Sequence, residues 1–186
     1  DRENVLTTRI SLPRSVYTKP QQVQAFYDDV LQRVKSLPGV QSAGAINHTP
    51  FAGFGLIANF GIEGQSQLDK KKEFATGIGS VSPEYFQTMK IPLLSGRYYD
   101  ARDGADGQKV AIVNQAFAKH FFANSEPLGK RLGFGCAESE GLCRTIVGVV
   151  GNIRQESITD EVAPEIYVPF SQMGLNGMTV MVRTTS

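Results

Sequence analysis

The segment that most limits the fold is the one long helical period in the chain, because strand-like alternation borders it on both sides. Val23, Phe26, Tyr27, Val30, Leu31 and Val34 recur at helical spacing, which leaves Asp28, Asp29, Gln32, Arg33 and Lys35 outside the apolar stripe. Thr18 and Gln21 have the separation of a capping box, Pro20 falls in the first turn, and Pro38-Gly39 ends the run. Before it, Leu6, Thr8, Ile10 and Leu12 alternate with Thr7, Arg9 and Ser11, the period of a half-buried strand, and a second strand is expected over residues 40–47. The chain therefore opens as a strand–helix–strand unit.

After a loop at 49–55, Leu56, Ala58, Phe60 and Ile62 fall on one face of another alternating run. A polar turn at 63–72, which contains the solvated charge run Lys70-Lys71-Lys72, separates it from a strand at 74–81, so the pair is expected to form a long hairpin. Ser82-Pro83-Glu84 has the cap, first-turn proline and acidic residue of a helix start, with Tyr85, Phe86 and Met89 as its apolar face. A last strand at 178–183 closes the sheet. Strand–helix–strand–strand–helix–strand is the ferredoxin-like order, with a large insertion before the last strand. The insertion holds expected strands at 110–113, 130–134, 145–150 and 165–170, and a helix at 115–122 capped by Asn114. The fold class expected is thus α+β. Residues 1–99 with 174–186 form a ferredoxin-like βαββαβ subdomain, and residues 100–173 an inserted small α/β subdomain.

Composition narrows the function. Hydrophobic residues make up 41% and charged residues 20% of the 186, an ordinary globular balance that can bury a core without staples. Nineteen Lys and Arg against 18 Asp and Glu leave a net charge of +1, which argues against a nucleic-acid-binding surface. No apolar stretch reaches the roughly 18 residues that span a bilayer and no signal peptide opens the chain. Asp1 is not a natural start, so the chain is expected to be a piece of a longer protein. The two cysteines, Cys136 and Cys143, have six residues between them in GCAESEGLC. That spacing fits neither a zinc site nor a C-x-x-C redox motif and leaves a hairpin-tip disulfide or two free thiols. The disulfide is the expected form, and it implies an oxidising compartment.

The chain carries no catalytic, cofactor or metal motif. Gly77-Ile78-Gly79 precedes too short a helix for a dinucleotide fold and places Ser82 where a third glycine belongs; a strand is the better reading. Gly129-Lys130 lacks both the earlier glycine, which is Asn124 here, and the hydroxyl that would hold magnesium, which is Arg131. Asp100, Asp103 and Asp106 have acidic-turn spacing, but Ala111 stands where a calcium loop needs glutamate. His48 sits at a strand end within an Asn47-His48-Thr49 sequon, and His120 lies on a helix with Phe117 and Phe121; both read as structural. Phe51, Phe54, Tyr98 and Tyr99 are the aromatics expected to contact partners.

A series of short motifs then points to a family. Ser82–Phe86 reads SPEYF and Met89–Arg97 reads MKIPLLSGR. VAIVNQAFAKHFF follows at 110–122, PLGKRL at 127–132, TIVGVVGNIR at 145–154 and PEIYVPFSQ at 164–172. In this order and spacing the chain resembles the periplasmic core domain of MacB-type ABC transporter permeases. The variant is most similar to the large orphan permeases of acidobacteria and related soil bacteria. The resemblance implies a porter-like ferredoxin-type layer with an inserted small subdomain, on the periplasmic side of the bacterial inner membrane. It also implies anchoring by transmembrane helices outside this chain.

What it implies for function is a non-catalytic domain that couples cytoplasmic ATP hydrolysis to periplasmic movement for export, termed mechanotransmission. The partners implied are the permease's own transmembrane helices, a cytoplasmic ABC ATPase acting indirectly, and a periplasmic adaptor or a second permease copy. No cofactor is implied. A secreted or periplasmic ligand- or peptide-binding module is the alternative and predicts an apolar pocket between subdomains. A small hydrolase using His48 ranks last.

Overall fold

The structure, a computed structural model, describes residues 4–48, 56–63, 74–133, 136, 143–153 and 162–185. Helix α1, Pro20–Lys35, joins strand β1, Val5–Ser11, to strand β2, Val40–Ile46. Its cap lies one residue later than the spacing predicts. The Gln22 Oε1 accepts from the Lys19 N–H at 3.1 Å and the Thr18 N–H at 3.2 Å, so the reciprocal glutamine is Gln22, not Gln21. At the other end Gly39 turns the chain with φ 80°, a conformation that costs glycine little. Val23, Tyr27 and Leu31 form the buried stripe, flanked by half-buried Phe26, Val30 and Val34.

Strand β10, Gly177–Thr184, lies between β1 and β2 and is antiparallel to both. β1 and β2 are therefore parallel, connected by α1 and separated by β10, a split β-α-β unit. The helix is pinned at one end of the sheet. The Tyr27 hydroxyl shares its proton between the Ile10 and Asn176 carbonyls, at 2.9 and 3.0 Å, and accepts from the Met178 N–H at 3.2 Å. Leu12 is buried beneath it, whereas Leu6 is 66% exposed. The alternation in β1 thus predicts too much burial, because β1 is an edge strand and α1 covers only its far end.

The second half departs from the expected order. β3, Ile57–Ile62, and β4, Phe74–Val81, do form the hairpin. They are followed by α2, Tyr85–Thr88; β5, Leu93–Gly96; β6, Val110–Asn114; α3, Gln115–Phe121; β7, Arg131–Gly133; β8, Cys143–Val150; and β9, Glu165–Pro169. The ladder runs β4-β3-β7-β8-β6-β9, and β9 returns to β4 in parallel over Gly77–Val81, closing six strands into a barrel. β5 is an edge on β8, and β2 meets β4 at the single pair Ile46–Val81. The β3–β4 hairpin expected in a ferredoxin-like sheet is instead a pair of barrel staves. The reason is burial: Phe60, Ile62 and Ile78 face Ala111, Val113, Phe117, Leu132, Ile146 and Ile166 in one core. Hydrogen bonding therefore crosses the boundary between residues 1–99 and the insertion.

Candidate partner surfaces and the cleft beside the first helix

Segment 91–104 carries Tyr98 and Tyr99, two of the four aromatics the sequence marks for partner contact. Phe86 anchors it: the Tyr98 ring stacks on Phe86 at 5.7 Å and its hydroxyl donates to the Ile91 carbonyl at 2.8 Å. Tyr98 is half-buried, but Tyr99, next in line and pointing the opposite way, is 5% exposed. The Tyr99 hydroxyl donates to the Tyr167 carbonyl at 2.7 Å and accepts from the Ile112 N–H at 2.8 Å, and burial holds its pKa well above the usual phenol range. Tyr99 is a core residue, so the expectation of partner contact does not extend to it. Phe51, Phe54 and the lysine run lie outside the described residues.

The turn that follows is held by charge. The Arg97 guanidinium forks onto the Asp103 carboxylate at 2.6 and 2.8 Å, and that carboxylate also accepts from the Asp100 N–H at 2.9 Å. Burial pushes Asp103 upward, but the Arg97 pair and the backbone bond outweigh it and hold the carboxyl below its ordinary value. Asp100 caps the turn Ala101–Asp103, accepts from Arg102, and lies well below the usual carboxylate range because of that hydrogen bonding. These carboxylates are paired with arginines within a tight turn, an arrangement unlike a calcium loop. Among the described residues, no group of three or more His, Cys, Asp and Glu side chains could hold a metal.

The charged turn is one wall of a cleft of about 240 Å³ whose other wall is α1. Its floor includes Tyr27, Leu31, Phe170 and Met178, and Asp28 and Asp100 stand at its sides. The cleft lies where the split β-α-β layer faces the inserted segment. Asp28 was not visible as a site residue in the sequence. Its one signal was position: a carboxylate directly after Tyr27, at the margin of the apolar stripe.

The remaining residues singled out by sequence are structural. His48 and Glu165 are buried together, with Nε2 3.7 Å from the Glu165 Oε1, and Tyr167 donates to the other Glu165 oxygen at 2.7 Å. The Asn47 side chain is buried and accepts from the Ser80 N–H at 2.8 Å, which leaves the sequon asparagine inaccessible. His120 is exposed on α3 and packs edge-on against Phe121. Gly77-Ile78-Gly79 lies within β4, and Gly129 turns into β7 with φ 77°. Cys136 and Cys143 form a disulfide with a Cα separation of 4.9 Å beside the β7–β8 pair.

The profile of the MacB-like periplasmic core domain family matches residues 3–186. Among solved structures, the periplasmic region of MacB from Actinobacillus actinomycetemcomitans aligns with a TM-score of 0.61 at 14% identity, covering 99% of this chain and 76% of that one. The extracellular domain of the noncanonic ABC-type transporter YknZ from Gram-positive bacteria aligns with a TM-score of 0.59 at 19% identity, covering 98% of this chain and 84% of that one. No curated protein sequence matches the chain. Among the described residues, no helix is long and apolar enough to cross a membrane.

Proposed function

The chain belongs to the MacB-like periplasmic core domain family, and on that premise we propose that it is the non-catalytic extracytoplasmic domain of an ABC transporter permease, coupling cytoplasmic ATP hydrolysis to periplasmic movement for export. Its partners are the permease's own membrane helices, an ABC ATPase acting through them, and an adaptor or second copy on the periplasmic side of the inner membrane. The observation that carries this reading is the match over residues 3–186.

The way the ends leave the fold supports a mechanical role. β1 and β10 pair from Val5–Arg183 to Ser11–Gly177, and the Thr184 N–H donates to the Asn4 carbonyl at 2.9 Å. Helices continuing from both ends would enter side by side, on neighbouring strands of one ladder. Displacing them together would move the whole sheet, whereas pulling them apart would unzip one hydrogen bond at a time. The porter-like unit of residues 1–99 with 174–186 and the inserted unit of 100–173 then travel as one stiff body, because the ladder is continuous across their boundary. The test is the native coding sequence on both sides of this chain. An apolar helix of about 20 residues on the N-terminal side and further ones on the C-terminal side are expected. A cleavable leader with no spanning helix elsewhere would overturn the proposal.

A further inference from the structure

We infer that the groove beside α1 docks a segment of a partner protein that carries an apolar side chain next to a lysine or arginine. The cleft of about 240 Å³ continues into a second of about 280 Å³, lined further by Gln32 and Lys35 of the helix and by Glu84 before α2, and the two share Asp28, Leu31 and Pro83. Each is smaller than the roughly 300–1,000 Å³ of pockets for drug-sized ligands and suits a side chain better than a free small molecule. Two such depressions in line along one helix fit successive side chains of a polypeptide. The first has the apolar floor described above; the second sets the apolar surface of Leu31 and Pro83 among Asp28, Gln32, Lys35 and Glu84.

Charge selects the occupant. Lys35 Nζ is committed to Glu84 Oε1 at 2.6 Å, Arg97 to Asp103, and Arg102 to Asp100 at 2.7 Å. Asp28, at the junction of the two clefts, makes no ion pair among the described residues. Burial pushes its carboxyl upward and the Glu84 charge adds to that, against smaller opposing effects from the Gln24 side chain and Lys35. Asp28 is exposed to solvent but lines both clefts, and a carboxylate there with no ion-pair partner is stabilised by a cation brought from outside. Asp29, the next residue, is already paired with Arg33 at 2.9 Å and lines neither cleft. The docking does not depend on the permease reading, since a chain without flanking helices keeps the same groove.

The test is fluorescence anisotropy of the whole chain with a labelled amphipathic Leu-Lys peptide, compared with Leu-Glu and Ser-Lys peptides, and with amide chemical shifts to locate the contact. Saturable binding of the Leu-Lys peptide is expected, with shifts at residues 24–35 and 82–84. The Leu-Glu peptide should not bind, and the Ser-Lys peptide should bind about tenfold more weakly for want of an anchor. Asp28→Asn should weaken binding about fivefold, the effect of one partly exposed ion pair of about 1 kcal/mol. Asp29→Asn removes the same charge and should leave affinity unchanged. The proposal is overturned by absence of saturable Leu-Lys binding, by equal losses in the two variants, by equal binding of the Ser-Lys peptide, or by shifts that cluster elsewhere.

Discussion

Replacing Tyr99 with phenylalanine isolates one hydroxyl that sits inside a strand ladder. Ile112 of β6 and Tyr167 of β9 are register partners, yet the Ile112 N–H donates to the Tyr99 oxygen at 2.8 Å and the Tyr99 proton goes to the Tyr167 carbonyl at 2.7 Å. The hydroxyl thus bridges a donor and an acceptor that face each other across the ladder. Tyr99→Phe keeps the ring against Phe86 and removes both bonds, leaving a buried N–H without this acceptor. An unsatisfied buried group costs about 1–3 kcal/mol, and that is the expected loss. With a urea m-value of about 2 kcal/mol/M, the unfolding midpoint should fall by about 0.5–1.5 M at unchanged m. Far-UV circular dichroism gives the midpoint, and amide exchange at Ile112 gives the local effect, which should rise more than exchange in β1 or β10. A loss below about 0.5 kcal/mol with Ile112 still protected would mean the two strands close and bond directly, which would refute the bridging role.

Three further outcomes follow from packing and charge. Asp103→Asn should cost about 2–3 kcal/mol at neutral pH, since it breaks a pair whose carboxylate is buried while Arg97 stays partly solvated. Because the folded-state pKa of Asp103 is lowered, its contribution is full above the unfolded carboxylate value of about 3.9 and is lost as pH falls through the folded value; the variant should show a shallower acid limb in urea titrations, and an unchanged limb would count against the pair. Gly44→Ala places a Cβ 2.7 Å from the Tyr85 Cα, a backbone atom that cannot swing aside, so about 2 kcal/mol and about 4–8 °C of Tm should be lost. Gly104→Ala, whose nearest such contact is 3.9 Å, should be nearly neutral, and equal losses in the two would discount the collision. Reducing Cys136–Cys143 should lower stability by about 2–3 kcal/mol from loop closure, and both thiols should resist alkylation until reduced; prompt alkylation of the oxidised protein would refute the pairing.

Local periodicity reached the elements and stopped at their partners. The stripe from Val23 to Val34 sufficed for α1 because a helix is decided within a few residues of itself. Each strand of the inserted segment was visible as a short apolar run, with ends off by at most two residues. What alternation cannot show is which edge a strand bonds to. Phe60 and Ile62 mark a buried face whether β3 lies in a ferredoxin-like sheet or beside β7 in a barrel, and the choice rests on residues more than 65 positions away. Tyr98 and Tyr99 make the same point at a candidate site. Adjacent tyrosines in extended backbone must point opposite ways, but which one turns inward depends on the β6–β9 ladder. Asp28 was legible as polar and illegible as uncompensated, since its isolation depends on Lys35, Arg97 and Arg102 each finding another carboxylate.

The join between the split layer and the barrel is narrow in backbone pairing and broad in side-chain bonding. One register pair, Ile46–Val81, links β2 to β4. Around it the Asn47 N–H donates to the Ser80 carbonyl at 3.1 Å, the Asn47 Oδ1 accepts from the Ser80 N–H at 2.8 Å, and the Ser82 hydroxyl oxygen accepts from the Ala45 N–H at 3.0 Å. Two short polar side chains thus extend a one-pair ladder in both directions. Because these groups are buried, any bond opened there leaves a donor or acceptor without water, so the joint resists bending more than its backbone pairing suggests. Gly44 and Gly79 tighten it from either side, with Tyr85 and the Tyr167 ring occupying the space a Cβ would need. Under the proposed coupling, stiffness at this seam, rather than in either core, would carry a displacement of β1 and β10 into the barrel.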